Sequence, residues 1–131
     1  MERIPKKILI CEGEEILLTA LKFRLQKQGY SLLLAEDGQQ AQDSIANENP
    51  DLIVLDLGIP KVSGLALIRY LRQELRRSTP IIAIAPLEDE ALILEALAAG
   101  SDDFVTKPFK PVELVLRIQS IFQGMASSLA S

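Results

Sequence analysis

Along the chain, short apolar runs alternate with longer stretches in which apolar residues recur at helical spacing, and turn residues separate the two. Ile8-Leu9-Ile10-Cys11 is the first run. Leu17, Leu21 and Leu25 follow on one helical face, which Gly29 stops. Ser31 to Ala35 is a second strand candidate, and Asp37-Gly38 leads into a polar helix that turns Ala41 and Ile45 inward and ends at Asn49-Pro50. Leu52-Ile53-Val54-Leu55 has the composition of a strand buried on both faces, and the helix behind it sets Leu65, Ile68, Leu71 and Leu75 on one side. Pro80 introduces Ile81-Ile82-Ala83-Ile84-Ala85, followed by a helix from Glu88 to Ala99 that Gly100 terminates. Phe104-Val105-Thr106 supplies a short fifth strand, and Pro111 opens a fifth helix with Leu114, Val115, Ile118 and Ile121 inward.

Strand-helix units of this kind fill residues 6–123 as one domain, and their alternation predicts a doubly wound α/β fold on a parallel sheet. Residues 124–131, small and polar, read as a C-terminal tail or linker stump. The fourth helix departs from the amphipathic pattern, because its only charges are Glu90 and Glu95. Its spacing predicts Leu94 and Leu97 against the sheet, leaving Leu92, Ile93 and Ala96 as an exposed apolar patch.

Composition narrows the function. The 131 residues carry 18 acidic against 14 basic side chains, so there is no basic footprint for gripping nucleic acid directly. With no His and only Cys11, a histidine-based triad, a Cys/His zinc cluster and an intrachain disulfide are all excluded. Cys11 reads as a small buried hydrophobe in a reducing, cytoplasmic setting. No apolar run approaches the ~20 residues of a membrane span, and the first residues lack the apolar stretch of a secretory signal.

In an open α/β sheet, ligands sit outside the carboxyl ends of the strands. The residues there are Glu12-Gly13-Glu14-Glu15, Asp56-Leu57-Gly58-Ile59-Pro60, Ala85-Pro86 and Thr106-Lys107-Pro108-Phe109. Two carboxylates, Glu12 and Asp56, converge with Lys107. Carboxylates gathered at one edge repel one another, and a divalent cation with oxygen ligands, Mg²⁺, is the usual remedy. The remaining acids of the first helical turn have a plain alternative in the helix dipole. The same acidic turn argues against a phosphate-cradling nucleotide or flavin loop.

Three stretches carry a resemblance. They are Ile8-Leu9-Ile10 before an acidic position, Pro50 to Asp56 with Pro60 and Gly64 downstream, and Ala99 to Phe109. Together they resemble the receiver domain of response regulators in two-component signalling, over nearly the whole chain and nearest to the receivers of winged-helix DNA-binding regulators. The resemblance implies a flavodoxin-like (βα)5 domain with sheet order 2-1-3-4-5. It implies that Asp56 accepts a phosphoryl group from a histidine kinase or phosphotransfer protein, and that Lys107 pairs with the phosphoryl oxygens across a cis Lys107–Pro108 bond. Mg²⁺ would be held by Glu12, Asp56 and the backbone carbonyl of Gly58. Such a domain is a switch rather than an enzyme, and its changed surface around the fourth helix, fifth strand and fifth helix selects an output domain or partner. The resemblance also places interface residues at Ile93, where relatives carry a basic residue, and at Asp103, Glu113 and Arg117, so a homodimer through that face is expected.

Two departures stand out. The family's second acidic position falls on Gly13, which weakens the metal site unless Glu14 reaches in. The switch hydroxyl that ends the fourth strand is replaced by Ala85, which leaves the swing of the aromatic position, Phe104, without its partner. A hydrogen bond to a charged group contributes roughly 1.5 to 3 kcal/mol, so its loss removes on the order of tenfold to a hundredfold of coupling. These changes define an alternative reading, a phosphorylation-independent pseudo-receiver serving as an interaction or dimerisation module. A phosphohydrolase using an aspartate nucleophile would want a second carboxylate two residues on, where Gly58 stands.

Overall fold

The computed structural model describes residues 4–130. Its strands are β1 (Lys7–Cys11), β2 (Ser31–Ala35), β3 (Leu52–Asp56), β4 (Ile81–Pro86) and β5 (Asp103–Lys107). Helices α1 (Glu15–Lys27), α2 (Gly38–Glu48), α3 (Gly64–Arg69), α4 (Glu90–Ala99) and α5 (Pro111–Ala130) alternate with them. All pairings are parallel and the order is β2-β1-β3-β4-β5, as the resemblance implies. Residues 124–130, expected as a tail, carry helical backbone at the end of α5. No helix among the described residues is long and apolar enough to cross a membrane.

Helices on both faces make two apolar layers. Leu9, Leu55, Ile68, Ala83 and Ile93 pack between the sheet and α2, α3 and α4. Ile8, Val54, Ile84, Leu21 and Leu114 pack between the sheet and α1 and α5. Odd and even residues of one strand therefore enter different layers, which is why the central strands read as continuous apolar runs. Each such side chain, fully buried, contributes on the order of 1.5–3 kcal/mol.

One helix face follows the sequence expectation through an irregular turn, and one reverses it. Beyond α3 the chain continues as a π-helical turn, Tyr70–Glu74, with Leu75 N–H donating to the Tyr70 carbonyl at 3.0 Å. The face expected from the spacing is kept, with Ile68 and Leu71 buried, Leu65 and Leu75 half-buried against the same layer, and Leu67 buried beside them. The orientation of α4 is the reverse of that expected. Ile93 and Ala96 are buried at 8% and 0% exposure, while Leu94 and Leu97 face solvent at 59% and 36%. With apolar residues nearly all round, periodicity alone could not set the phase of this helix. Its ends do: Asp89 caps the Leu92 N–H at 3.1 Å. At the other end, the Arg72 guanidinium donates to the carbonyls of Gly100 and Arg77 and to Asp102, whose carboxylate also accepts from the Ile81 N–H.

The loop after β3 is fixed by close approach at two glycines. A side-chain carbon at Gly64 would lie 2.6 Å from Leu57 Cα. One at Gly38 would collide with the backbone of Val62, and Gly38 N–H donates to the Pro60 carbonyl at 2.9 Å. The loop is thus pinned to the start of α2, with Lys61 Nζ 3.2 Å from Asp37.

Candidate functional site at the carboxyl edge of the sheet

Strand register assembles the site. Cys11 pairs with Leu55, and Asp56 with Ile84, so Glu12, just past β1, lies beside Asp56 at the end of β3. Pro86 pairs with Lys107 at the neighbouring strand ends, and the Lys107–Pro108 bond is cis. The three residues singled out from strand ends are therefore in direct contact.

Lys107 Nζ donates to Asp56 Oδ2 at 2.9 Å and to one oxygen each of Glu12 and Glu14 at 3.2 Å. The other Asp56 oxygen accepts from the Gly58 N–H at 2.9 Å. Burial opposes a charge on Lys107, but Asp56 and then Glu12 outweigh it and hold its pKa above the usual lysine value, so the ammonium persists. Glu12 is 1% exposed, and its Oε2 accepts from the Glu14 N–H at 3.0 Å. Its Oε1 lies 3.1 Å from Lys107 Nζ yet makes no hydrogen bond. Burial, with Asp56 adding to it against the Glu14 N–H and Lys107, raises the pKa of Glu12. Cys11 is fully buried and its thiol is pushed up by burial and then by Asp56, which makes it inert.

A buried carboxylate with an unpaired oxygen beside a second carboxylate has the chemistry of a hard-cation site. The residues fit Mg²⁺ in part. Among the described residues, no group of three or more His, Cys, Asp or Glu side chains is gathered to hold a metal ion. Gly13 accounts for the shortfall, and the space for a side chain exists there: the nearest atom to an added carbon is the Glu36 carbonyl oxygen at 3.7 Å. Gly13 borders an open groove of about 480 Å³ lined also by Glu12, Glu15, Lys22 and Glu36.

The residues expected to relay a signal are arranged differently. Ala85 is buried in the same apolar layer that half-buried Phe104 packs against, and it offers no hydroxyl. Ile93 belongs to that layer, so its expected place at an interface is corrected: the exposed apolar side chains of α4 are Leu94 and Leu97. Asp103 and Arg117 form a two-pronged ion pair at 2.9 and 3.0 Å, and Glu113 joins it at 3.5 Å, so these three partner one another within the chain. The contact of Glu14 with Lys107 was open in the sequence, and the close approach at Gly38 was not read there. The Asp-Gly step before a helix is its only sequence signal.

The profile of the response regulator receiver domain matches residues 8–119. Among curated proteins, the chain is 37% identical over 118 residues to the alkaline phosphatase synthesis transcriptional regulatory protein PhoP of Bacillus subtilis, covering 90% of this chain and 49% of that protein. It is 39% identical over 121 residues to the phosphate regulon transcriptional regulatory protein PhoB of Pseudomonas aeruginosa, covering 92% and 53%. The chain thus spans about half the length of these curated relatives. Among solved structures it is similar to the receiver domain of a sensor histidine kinase from Pseudomonas aeruginosa PAO1, which has a magnesium ion coordinated in its active site cleft. That likeness has a TM-score of 0.78 and 32% identity, and covers 89% of this chain and 97% of that one.

Proposed function

The chain belongs to the response-regulator receiver domain family of two-component signalling, and from that premise we propose that Asp56 is its phosphoryl acceptor. The observation that carries this reading is the Asp56–Lys107 contact at 2.9 Å beside buried Glu12, one oxygen of which makes no hydrogen bond. A carboxylate oxygen of Asp56 attacks the phosphorus of a kinase phosphohistidine. As the P–O bond forms, the P–N bond breaks and its electron pair returns to the imidazole nitrogen. Formation of the acyl phosphate removes the charge that Lys107 neutralises on Asp56, and the ammonium moves to an oxygen of the incoming phosphoryl group. Glu12, Asp56 and the Gly58 carbonyl would hold Mg²⁺, which would supply further neutralisation of phosphoryl charge.

The domain acts as a phosphorylated switch in the cytoplasm and turns over no separate substrate. A histidine kinase or phosphotransfer protein supplies the phosphoryl group, and an output domain or partner reads the result. The likeness to transcriptional regulatory proteins supports an output in gene regulation, with DNA contacted outside the segment described here.

Intact-mass spectrometry after incubation with a small acyl-phosphate donor, with and without Mg²⁺, tests the acceptor. The expected result is one phosphoryl adduct that requires Mg²⁺ and is absent from Asp56→Asn. An adduct on that variant would reassign the acceptor, and no adduct on the wild type at any Mg²⁺ concentration would favour the phosphorylation-independent module.

A further inference from the structure

Three arginines of this acidic chain gather at the edge of the sheet opposite the acceptor, where the strands begin. Between the π-helical turn and β4 the sequence reads Arg76-Arg77-Ser78-Thr79-Pro80. Two shallow grooves meet there, one of about 460 Å³ running to Asn49, Pro50 and Asp51 ahead of β3, the other of about 410 Å³ running to Arg72 and Asp102 ahead of β5. Arg76, Arg77 and Ser78 line both. The five residues of β3 separate this edge from Asp56 by roughly 17 Å.

Two of the three arginines serve the fold. Helices α2 and α4 end at this edge, and the carbonyl end of a helix attracts a cation. Arg77 donates to the Ile45 carbonyl of α2 at 2.7 Å, and Arg72 donates twice to the Gly100 carbonyl past α4. Arg76 is exposed and, among the described residues, pairs with no carbonyl or carboxylate. Its backbone has φ of 53°, the left-handed position that closes a helix and that glycine normally fills because a side chain is strained there. Strain of this kind marks places where a side chain serves something other than the fold. The two acids at the rim already accept hydrogen bonds, Asp51 from the Lys7 N–H at 2.7 Å and Asp102 from Arg72 and the Ile81 N–H, so donors outnumber free acceptors where the grooves meet.

We propose that Arg76, with Arg77 and Ser78, forms a binding site for a small ligand carrying two linked phosphates. A guanidinium fork matches a pair of phosphate oxygens, and Arg76 brings one that the fold does not use. Because the three residues line both grooves, a diphosphate sets one phosphate on each side of Arg76, with the Ser78 hydroxyl as a further donor. The grooves are open, so charge rather than enclosure holds the ligand, and added salt weakens it. The site is separate from Asp56 and does not rest on phosphorylation there.

Pyrophosphate is the probe, titrated in the absence of Mg²⁺ while amide NMR spectra are recorded, so that position and affinity are read together. The shifts should saturate and centre on Arg76, Arg77, Ser78 and Thr79, leaving Glu12, Asp56 and Lys107 unmoved. Arg76→Gly should weaken binding by at least about tenfold, the loss of charge-assisted hydrogen bonds to one phosphate. Since glycine relieves the left-handed strain, the same variant should unfold at a urea concentration no lower than the wild type, which separates lost binding from lost structure. Adenosine diphosphate in place of pyrophosphate should shift the same residues. Tighter binding than pyrophosphate assigns the site to a nucleotide, and equal binding assigns it to an inorganic diphosphate. No saturable binding of either probe, shifts centred on Lys107, or an Arg76→Gly variant that binds as the wild type does would each overturn the proposal.

Discussion

Glu12 and Asp37 are both nearly buried carboxylates just past adjacent strands, and the protein treats them in opposite ways. Asp37 caps α2, accepting from the Gln40 N–H at 2.9 Å with Lys61 Nζ at 3.2 Å, and its pKa is lowered, first by that N–H and then by Lys61. Glu12 leaves one oxygen without a hydrogen bond although Lys107 Nζ lies 3.1 Å away, faces Asp56, and has its pKa raised by burial. A satisfied carboxylate stabilises the fold, whereas an unsatisfied one costs stability that a bound cation recovers. The difference separates an acid that caps a helix from one proposed to hold a cation, at the ends of two adjacent strands.

The largest expected effect erases the framework that holds both corners. Gly38→Ala forces a side chain into the backbone of Val62 and should lower unfolding free energy by about 2–3 kcal/mol in urea titrations, loosening the loop near Asp56 and the cap at Asp37 together. Next, Glu12→Gln should weaken Mg²⁺ binding by at least about tenfold by isothermal calorimetry, while Asp37→Asn leaves it unchanged. Equal losses in both variants would erase the distinction between the two acids. Gly13→Asp supplies a third carboxylate where the backbone has room for it, and should tighten Mg²⁺ by up to roughly tenfold and lower the Mg²⁺ needed for the phosphoryl adduct.

The smallest effect is in the pH dependence. Because its folded pKa is lowered, Asp37 contributes stability that is fully present above the ordinary aspartate value of about 3.9 and is lost as pH falls through the lowered one. Asp37→Asn retains a capping side chain, so its stability should fall less steeply than that of the wild type across that acid window. Parallel curves would show that the cap owes nothing to charge.

Much of this arrangement is legible in the sequence, and the exceptions have physical causes. Strands announce themselves as continuous apolar runs because both faces are covered, and the stripes of α1, α2 and α5 are readable because their polar faces meet water. The face of α4 was not. It has too little polar contrast to mark an outside. Glu12, Asp56 and Lys107 were found as the first residues past strand ends, a rule of topology. That Glu14 shares Lys107 with them depends on where a long side chain folds back, which spacing does not encode.

The Arg72 clamp makes α4 a cantilever. Its Gly100 end is held by Arg72, in the turn beyond α3, which binds the Gly100 carbonyl twice and Asp102 once, while its Asp89 end, the freer of the two, has the cap on its own first turn and an Asp89 N–H donated to the Pro86 carbonyl at 3.1 Å. A ten-residue helix is about 15 Å long, so a tilt of about 10° around the clamp displaces the free end by roughly 2.5 Å and the anchored end hardly at all. That end joins, through Leu87 to Asp89, to Pro86, which pairs with Lys107 at the mouth of the proposed acceptor site. Leverage in this domain is therefore greatest where the charge would arrive.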